Sequence, residues 1–301
     1  MSRIREALKK AAEERSVQTG APAAEDFSDI LDGAPSNQAV ETEADQRNFQ
    51  RKLESASPDF RSLAATCQKV SWHFEQRFSV FGNEPNDRAG AERFRTLRSR
   101  LYQIAALQPL RRIVVTSSVP AEGKTFVTSN LAQSLVRQAD RKVLLIDADL
   151  RASRLNLPLG APNSPGLSDY LTGEADLTKV LQVGDEGNLC FIPGGREVSN
   201  PSEILHSEKM AALLDRMGQI FDWVVLDSPP AIAVHDSSIL ADMCDGVLFV
   251  VRAGSTDFEM AQKAIAEFPA KKLLGVVLNR VDKSDSYGEY YYGYATETGG
   301  E

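Results

Sequence analysis

Between about residue 90 and residue 282, six short apolar runs rich in β-branched residues alternate with helical stretches. The predicted strands are Arg112–Thr116, Val143–Asp147, Leu189–Ile192, Trp223–Asp227, Gly246–Arg252 and Leu273–Asn279. The predicted helices are 91–107, 123–138, 166–182, 201–220, 235–242 and 257–268. This alternation is typical of an α/β fold with a buried, mostly parallel sheet and helices on both faces. Ligands of such sheets bind at the carboxyl ends of the strands, so the informative side chains should follow the strands.

The rest of the chain divides into segments of different composition. Residues 1–15 carry a narrow apolar stripe and predict a short helix, either solvated or docked on a partner or membrane surface. Residues 16–60 are rich in Ala, Glu, Asp, Ser and Pro and predict a disordered linker. Large apolar side chains in 61–82 should pack against the main domain, which gives a domain over 61–282. Residues 283–301 predict a flexible tail with five of the seven tyrosines, Tyr287, Tyr290, Tyr291, Tyr292 and Tyr294.

Composition and charge exclude several classes of protein. The chain has 34 Lys and Arg against 42 Asp and Glu, a net charge of −8, which argues against a dedicated nucleic-acid binder. The three cysteines form no paired motif, so neither a zinc site nor a disulfide framework is predicted. The longest apolar runs, such as Val247–Val251, have about five residues, far below the roughly 20 residues of a membrane span, and the N-terminus does not resemble a signal peptide. We therefore expect a cytoplasmic protein.

A phosphate-binding motif directly follows the first predicted strand. The segment 118–125, Ser-Val-Pro-Ala-Glu-Gly-Lys-Thr, matches G-x-x-x-x-G-K-[ST] except that Ser118 replaces the first glycine. The backbone N–H groups of such a loop and of the helix start cradle phosphate oxygens. We expect Lys124 to neutralise the β- and γ-phosphates and the Thr125 hydroxyl to hold Mg²⁺. The predicted nucleotide-binding residues here are Ser118, Val119, Pro120, Ala121, Glu122, Gly123, Lys124, Thr125 and Phe126.

Two other predicted strands end in carboxylates. Asp147 and Asp149 can bind Mg²⁺, directly or through water, and either can accept a proton from an attacking hydroxyl. Asp227 ends another buried strand, as the metal-binding aspartate of phosphate-loop enzymes does. The predicted catalytic residues are therefore Lys124, Asp147, Asp149 and Asp227, and the predicted metal ligands are Thr125, Asp149 and Asp227.

These motifs together resemble the bacterial tyrosine kinases (BY-kinases), and within them the capsular and exopolysaccharide tyrosine autokinases that occur as separate cytoplasmic proteins. The resemblance covers about residues 88–301 and rests on the phosphate loop, the Asp-x-Asp-x-Arg box 147–151, Asp-Ser-Pro-Pro 227–230 and the tyrosine-rich tail. The related partitioning ATPases usually carry a lysine at the position of Val119, whose presence here favours the kinase. The resemblance implies a P-loop NTPase-like fold, ATP and Mg²⁺ as cofactors, and transfer of phosphoryl groups to tail tyrosines of a neighbouring subunit.

The resemblance also implies partners. Glu92, Arg95 and Arg98 lie on one face of a predicted helix, where spacing alone fits a solvated charged face. In the family this helix helps to close a homo-oligomeric ring, which forms when the protein is unphosphorylated. A membrane polysaccharide co-polymerase or chain-length protein would activate the kinase and hold it at the inner face of the membrane, and a protein-tyrosine phosphatase would reverse the reaction. Asn279 and Arg280, at the end of the last predicted strand, should contact the nucleotide base.

The main functional hypothesis is an ATP-dependent protein-tyrosine autokinase that regulates exopolysaccharide or capsule synthesis or export. One alternative is a partitioning-type P-loop ATPase that only hydrolyses ATP. The other is a non-catalytic scaffold that binds nucleotide. For the clustered tyrosines, the alternative to a set of phosphoacceptors is an adhesive, disordered end of the chain.

Overall fold

The computed structural model describes residues 59–82, 85–138, 140–185 and 187–281, with the backbone alone for 85–87. The predicted N-terminal helix, nearly all of the predicted linker and the predicted tail lie outside the described residues and stay predictions. Within the described ranges, no helix combines the length and the apolar character that crossing a membrane requires.

One sheet of eight strands forms the centre of the domain, in the order β1-β4-β5-β3-β6-β2-β7-β8. All neighbouring strands are parallel except β4 and β5. The strands are β1 (Gln68–Lys69), β2 (Arg112–Ser117), β3 (Val143–Asp147), β4 (Gln182–Val183), β5 (Leu189–Ile192), β6 (Trp223–Asp227), β7 (Gly246–Arg252) and β8 (Leu273–Asn279). The predicted, mostly parallel sheet is confirmed.

Helices precede or connect most of these strands. They are α1 (Phe60–Thr66), α2 (Pro85–Ala105), α3 (Lys124–Val136), α4 (Asn156–Leu159), α5 (Leu167–Thr172), α6 (Leu177–Val180), α7 (Pro201–Leu205), α8 (Glu208–Ile220), α9 (Asp236–Met243) and α10 (Phe258–Ala266). Short 3₁₀ turns lie at Gln76–Phe78 and Ala270–Lys272.

The central strands bury both of their faces, which is why they are continuous apolar runs. On β3, Leu144 and Ile146 belong to one apolar core, whereas Val143 and Leu145 belong to the other. Side chains of α2 and α3 complete the second core, and side chains of α8, α9 and α10 contribute to the first. Helices therefore cover both faces of the sheet, and every strand that carries a candidate catalytic residue is held in a closely packed interior.

Five of the six predicted strands have the predicted bounds, and β2 extends one residue further. The prediction of one helix over 201–220 is wrong, because Ser207 interrupts it and caps α8 by accepting a hydrogen bond from Met210 N at 3.2 Å. The predicted helix 166–182 is instead α5, α6 and β4. Helix α2 begins earlier than predicted, and the predicted linker ends before Phe60, which is buried in α1.

The residues 70–82, here called the strap, cross helix α3. The Asn130 side chain of α3 is buried, donates to Phe78 O at 2.8 Å and accepts from Val80 N at 2.9 Å. Trp72 packs edge-on against Phe191 of β5, with the ring centroids 5.8 Å apart. The strap is thus attached to the sheet through Trp72 and to helix α3, which begins at the phosphate loop, through Asn130.

Candidate active site

The phosphate-binding motif forms the connection between β2 and α3. Gly123 precedes the first residue of α3 with φ of +96°, in the region that favours glycine. A Cβ atom at Gly123 would lie 2.1 Å from Nδ2 of Asn279, and the same Nδ2 donates to Glu122 O at 2.8 Å. The end of β8 therefore fixes the glycine turn of the loop directly, which places Asn279 at the predicted nucleotide site. Arg280 follows it as an exposed residue with φ of +56°.

The side chain of Glu122 turns away from solvent and anchors the loop. Its carboxylate is buried and accepts hydrogen bonds from Val119 N at 2.8 Å and from the Thr256 hydroxyl. Arg252 N lies 3.4 Å from the same carboxylate. Glu122 therefore ties the loop to the segment after β7, and its contribution to a phosphate site is limited to its backbone N–H group. The motif alone gave no signal of this anchoring role.

Ser118, which stands in place of the first glycine of the motif, is fully buried. Its backbone oxygen accepts from Ile232 N at 3.3 Å, and the preceding carbonyl of Ser117 accepts from Ala231 N at 2.8 Å. Its hydroxyl has no hydrogen-bond partner among the described residues. The Asp-Ser-Pro-Pro segment therefore lies against the start of the loop, and the fold accommodates a serine where the motif has glycine.

Lys124 and Asp149 form an ion pair, with Nζ and Oδ2 separated by 2.8 Å. Both side chains are nearly buried, with exposed fractions of 13% and 5%. Burial disfavours the ammonium form of Lys124, but the neighbouring carboxylates, Asp227 before Asp149, outweigh it and raise the pKa of Lys124. Lys124 is therefore held charged beside the loop, as binding to phosphate oxygens requires.

Asp147 is fully buried and accepts several hydrogen bonds. The donors are the Ser153 hydroxyl at 2.8 Å and Leu155 N at 2.9 Å on one oxygen, and Asp149 N at 3.2 Å on the other. Burial is the main cause that raises the pKa of Asp147 to about 7, and the negative charge of Asp227 adds to it. The carboxylate therefore organises the loop after β3 and titrates near neutrality.

Asp227 lies opposite Asp147 in the pairing of β3 with β6. Its carboxylate accepts from the Thr125 hydroxyl at 2.6 Å and from the Thr128 hydroxyl at 3.2 Å. Burial raises the pKa of Asp227, although the charge of Lys124 opposes this. The three neighbouring strands β3, β6 and β2 thus bring all the predicted catalytic residues and metal ligands together at one edge of the sheet.

The donor set at this edge fits a small divalent cation that prefers oxygen. The Thr125 hydroxyl and the Asp227 carboxylate are in contact. Burial is the main cause of the raised pKa values of Asp147 and Asp227, neighbouring carboxylates add to it, and a bound cation would favour the ionised forms. Among the described residues, no cluster of three or more His, Cys, Asp or Glu side chains could hold a metal alone. The remaining ligands would therefore be phosphate oxygens and water, as is usual for Mg²⁺.

Arg151 closes the loop that carries Asp149. Its Nε donates to Asp236 Oδ2 at 2.8 Å, and its Nη2 donates to Ser202 Oγ at 2.8 Å. Asp236 is fully buried and Arg151 is partly exposed, with 39% of its side chain accessible. The sequence alone gave no sign of Asp236 or Ser202, because their partner lies more than 50 residues away.

The candidate oligomer residues of α2 are not gathered at this edge. Glu92 and Arg95 pair with each other, and both are exposed. Arg98 is half-buried and its Nη1 donates to Ser134 O of α3 at 2.6 Å. Arg98 therefore contacts its own chain, while Glu92 and Arg95 remain accessible on the helix surface.

The comparisons with known proteins agree with this geometry. Residues 113–301 match the family described as the CobQ/CobB/MinD/ParA nucleotide binding domain. The tyrosine-protein kinase YwqD of Bacillus subtilis is 33% identical over 222 residues, which are 72% of this chain and 92% of that protein. The tyrosine-protein kinase wzc of Salmonella typhimurium is 31% identical over 79% of this chain, but the match spans only 34% of that longer protein.

Among solved structures, the kinase domain of the Escherichia coli tyrosine kinase ETK aligns with a TM-score of 0.59 at 32% identity. The alignment covers 65% of this chain and 78% of that one. The similarity to named tyrosine kinases favours a kinase over a partitioning-type ATPase. The chain belongs to the bacterial tyrosine-protein kinases that are built on this nucleotide-binding domain.

Proposed function

We propose that the chain is an ATP-dependent protein-tyrosine autokinase that phosphorylates tyrosines of its own C-terminal segment, in a neighbouring copy. The observation that carries this proposal is the meeting of Lys124, Thr125, Asp149 and Asp227 at the carboxyl ends of β2, β3 and β6. Phosphoryl transfer to a hydroxyl requires a positively charged side chain in a fixed position, here Lys124, and carboxylates next to the phosphate loop.

In the proposed reaction, the bond from the tyrosine oxygen to the γ-phosphorus forms while the bond from that phosphorus to the β–γ bridging oxygen breaks. The hydroxyl proton passes to a carboxylate of the Asp-x-Asp box, and ADP leaves with the pair of electrons from the broken bond. Lys124 would exchange part of its contact with Asp149 for the phosphate oxygens that gain charge. Backbone N–H groups of the loop would hold the β-phosphate.

Mg²⁺, held by Thr125 and Asp227 with Asp149 nearby, would supply charge neutralisation at the phosphates when bound. The residues of the chain would do the rest. Asp147 keeps Asp149 in place through its hydrogen bond to Asp149 N, and Asp149 lies next to Lys124. We therefore assign the proton-accepting role to Asp149 and a positioning role to the more deeply enclosed Asp147.

The test is the appearance of phosphotyrosine after incubation with Mg·ATP, located by mass spectrometry. Wild-type protein should be phosphorylated on Tyr287, Tyr290, Tyr291, Tyr292 or Tyr294, and Lys124→Met should not. Lys263→Met, on the exposed surface of α10, is the matched control and should react like the wild type. Hydrolysis of ATP without any phosphotyrosine would favour the ATPase alternative, and normal cellular function of Lys124→Met would favour the scaffold.

We also propose that the kinase works with partners in polysaccharide synthesis or export. The family supports an activating segment of a membrane co-polymerase, peripheral location through it, a ring of unphosphorylated subunits and a phosphatase that resets the cycle. The exposed Glu92 and Arg95 of α2 are the side chains available for a ring contact. Light scattering of Lys124→Met and of the fully phosphorylated wild type, both with partner peptide, should give a larger mass for Lys124→Met.

A further inference from the structure

A groove of about 510 Å³ lies between helix α2 and strand β8. We call it the arginine groove and define it by Arg93, Leu97, Arg100, Val276, Leu278 and Arg280. Strand β8 is the outermost strand of the sheet on this side, so its outer edge has no neighbouring strand among the described residues. Phe126, next to the phosphate loop, also contributes to the lining.

The charge of this groove has one sign. Arg93, Arg100 and Arg280 are exposed and form no ion pair or hydrogen bond with any described residue. Among the residues that the structure describes, no aspartate or glutamate lines the groove. Three guanidinium groups without a carboxylate partner make a surface that favours an anion, and guanidinium groups match phosphate oxygens in bidentate geometry.

The floor of the same groove is apolar and accessible. Val276 and Leu278 are 51% and 57% exposed, on a strand whose other large side chains are partly covered. Apolar side chains on an open edge strand are a site where an extended segment can add to the sheet. A ligand that combines an anionic group with an aromatic ring would therefore satisfy both parts of the groove.

The chain itself carries such a segment. Val281 lines the groove, and the chain continues from it into residues 282–301, which contain the tyrosine cluster and the acidic residues Asp285, Glu289, Glu297 and Glu301. A segment of this length can extend about 60 Å at roughly 3.3 Å per residue, so reach does not limit binding. Each phosphate on a tyrosine would add about −1.5 to −2 charges at neutral pH.

We propose that the arginine groove binds the phosphotyrosines of the chain's own C-terminal segment after they have been formed. The proposal rests on the proposed function, since that reaction makes the phosphotyrosines. The phosphates would contact Arg93 and Arg100, and the rings would cover Val276 and Leu278. Binding there would draw the product away from the carboxylates of Asp147 and Asp149, which repel it.

A binding experiment with synthetic peptide tests this without using the activity of the enzyme. A fluorescent peptide of residues 283–301, phosphorylated at Tyr290, Tyr291 and Tyr292, is titrated with unphosphorylated full-length Lys124→Met protein, and anisotropy gives Kd. In that background, the added pair Arg93→Glu and Arg100→Glu should weaken binding by at least about tenfold, since two charge-assisted contacts are lost. The unphosphorylated peptide should bind at least about tenfold more weakly than the phosphorylated one.

The matched control in the same background is Lys263→Glu with Lys271→Glu, which makes the same change in net charge at exposed positions on another part of the surface. It should weaken binding by less than about threefold, the effect of screened long-range charge. Equal losses in the two double variants, with unchanged melting temperatures, would overturn the assignment to the groove.

Two further measurements decide the occupant. Fully phosphorylated wild-type protein should bind the added peptide more weakly than the Lys124→Met protein does, because its own segment fills the groove, and equal affinities would overturn binding in the same chain. Affinity for a non-hydrolysable ATP analogue should be unchanged by Arg93→Glu with Arg100→Glu in an otherwise wild-type chain. A loss of nucleotide affinity that parallels the loss of peptide affinity would instead assign the groove to the nucleotide.

Discussion

The active-site edge and the arginine groove are both charged, but they differ in how the charge is compensated. At the active site, Lys124 already contacts Asp149, and Asp227 already accepts from Thr125, all with little exposure to water. In the groove, Arg93 and Arg100 are exposed and have no partner among the described residues. A ligand at the first site must replace contacts that exist, which selects for exact geometry, whereas the second site is open to any anion of suitable shape.

The largest effect is expected when one of the paired charged residues of the active site is replaced. Lys124→Ala or Asp227→Asn should lower the rate of tail phosphorylation by about a thousandfold or more, because both act on charge that the reaction moves. The rate is measured by phosphotyrosine formed per minute at saturating ATP. Lys263→Ala is the control, and a rate within a few-fold of wild type for either active-site variant would contradict the mechanism.

The next largest effect is expected at the glycine turn of the loop. Gly123→Ala should lower ATP affinity by about a hundredfold, because the new Cβ would lie 2.1 Å from Asn279 Nδ2 and either the loop or Asn279 must move. Gly254→Ala, at another position of positive φ (+65°) where the new Cβ would have nothing within 4 Å, is the control for a glycine replacement without such a contact. It should leave ATP affinity nearly unchanged in calorimetric titrations.

The contact with Asn279 can be tested by a double-mutant cycle. Adding Asn279→Ala to Gly123→Ala should restore part of the lost affinity, since it removes the obstructing amide. If the double variant recovers no ATP affinity, the amide of Asn279 is not the obstruction, and backbone strain at positive φ explains the loss.

A smaller effect is expected where Arg151 is held. Asp236→Asn should lower kcat by about tenfold with little change in KM for ATP, because the loop that carries Asp149 loses the ion pair of Arg151 with the buried Asp236 but keeps its shape. Ser202→Ala removes the hydrogen bond that Ser202 accepts from Arg151 and the one that it donates to Asp236, but it leaves the ion pair, so it should have a weaker effect on kcat. Equal kcat values for Asp236→Asn and wild type would show that the ion pair serves stability alone.

The smallest effect is a pH-dependent change in stability. In the folded state the pKa of Asp147 is raised from its ordinary value of 3.8 to about 7. At pH values between these two, the folded protein keeps a proton on Asp147 that the unfolded chain has already released. The contribution of Asp147 to the free energy of unfolding is therefore fully present at low pH and is lost as pH rises from about 4 to 7. Asp147→Asn should therefore raise the melting temperature by about 4 °C or more at pH 8, and by less at pH 5, without nucleotide or metal. A gain that is the same at both pH values would contradict the assigned titration.

The sequence predicted the central strands with accurate bounds for a physical reason. Strands such as β3 and β6 are buried on both faces, so every position carries an apolar side chain and the ends are marked by Asp147 and Asp227. The two-residue strands β1 and β4 are too short to form a pattern. Helix α8 begins at Glu208 because the Ser207 hydroxyl caps it, which a search for apolar periodicity passes over.

The candidate catalytic residues could be predicted because each lies in a local motif at the end of a strand or loop. The residues that hold them could not, since Asp236 reaches Arg151 and Thr256 reaches Glu122 only through the tertiary fold. The arginine groove was missed for the same reason. Arg93 directly follows Glu92 in sequence, but only the packing of α2 on the domain puts it beside β8.

The strap holds helix α3 from the side, through its hydrogen bonds with Asn130. One end of α3 is the lysine of the phosphate loop, and Asn130, two turns along, is fastened to Phe78 and Val80. The contacts of the strap and the ion pair of Lys124 with Asp149 therefore share one helix, so any variant that releases the strap from Asn130 also removes a lateral support of the helix that carries Lys124.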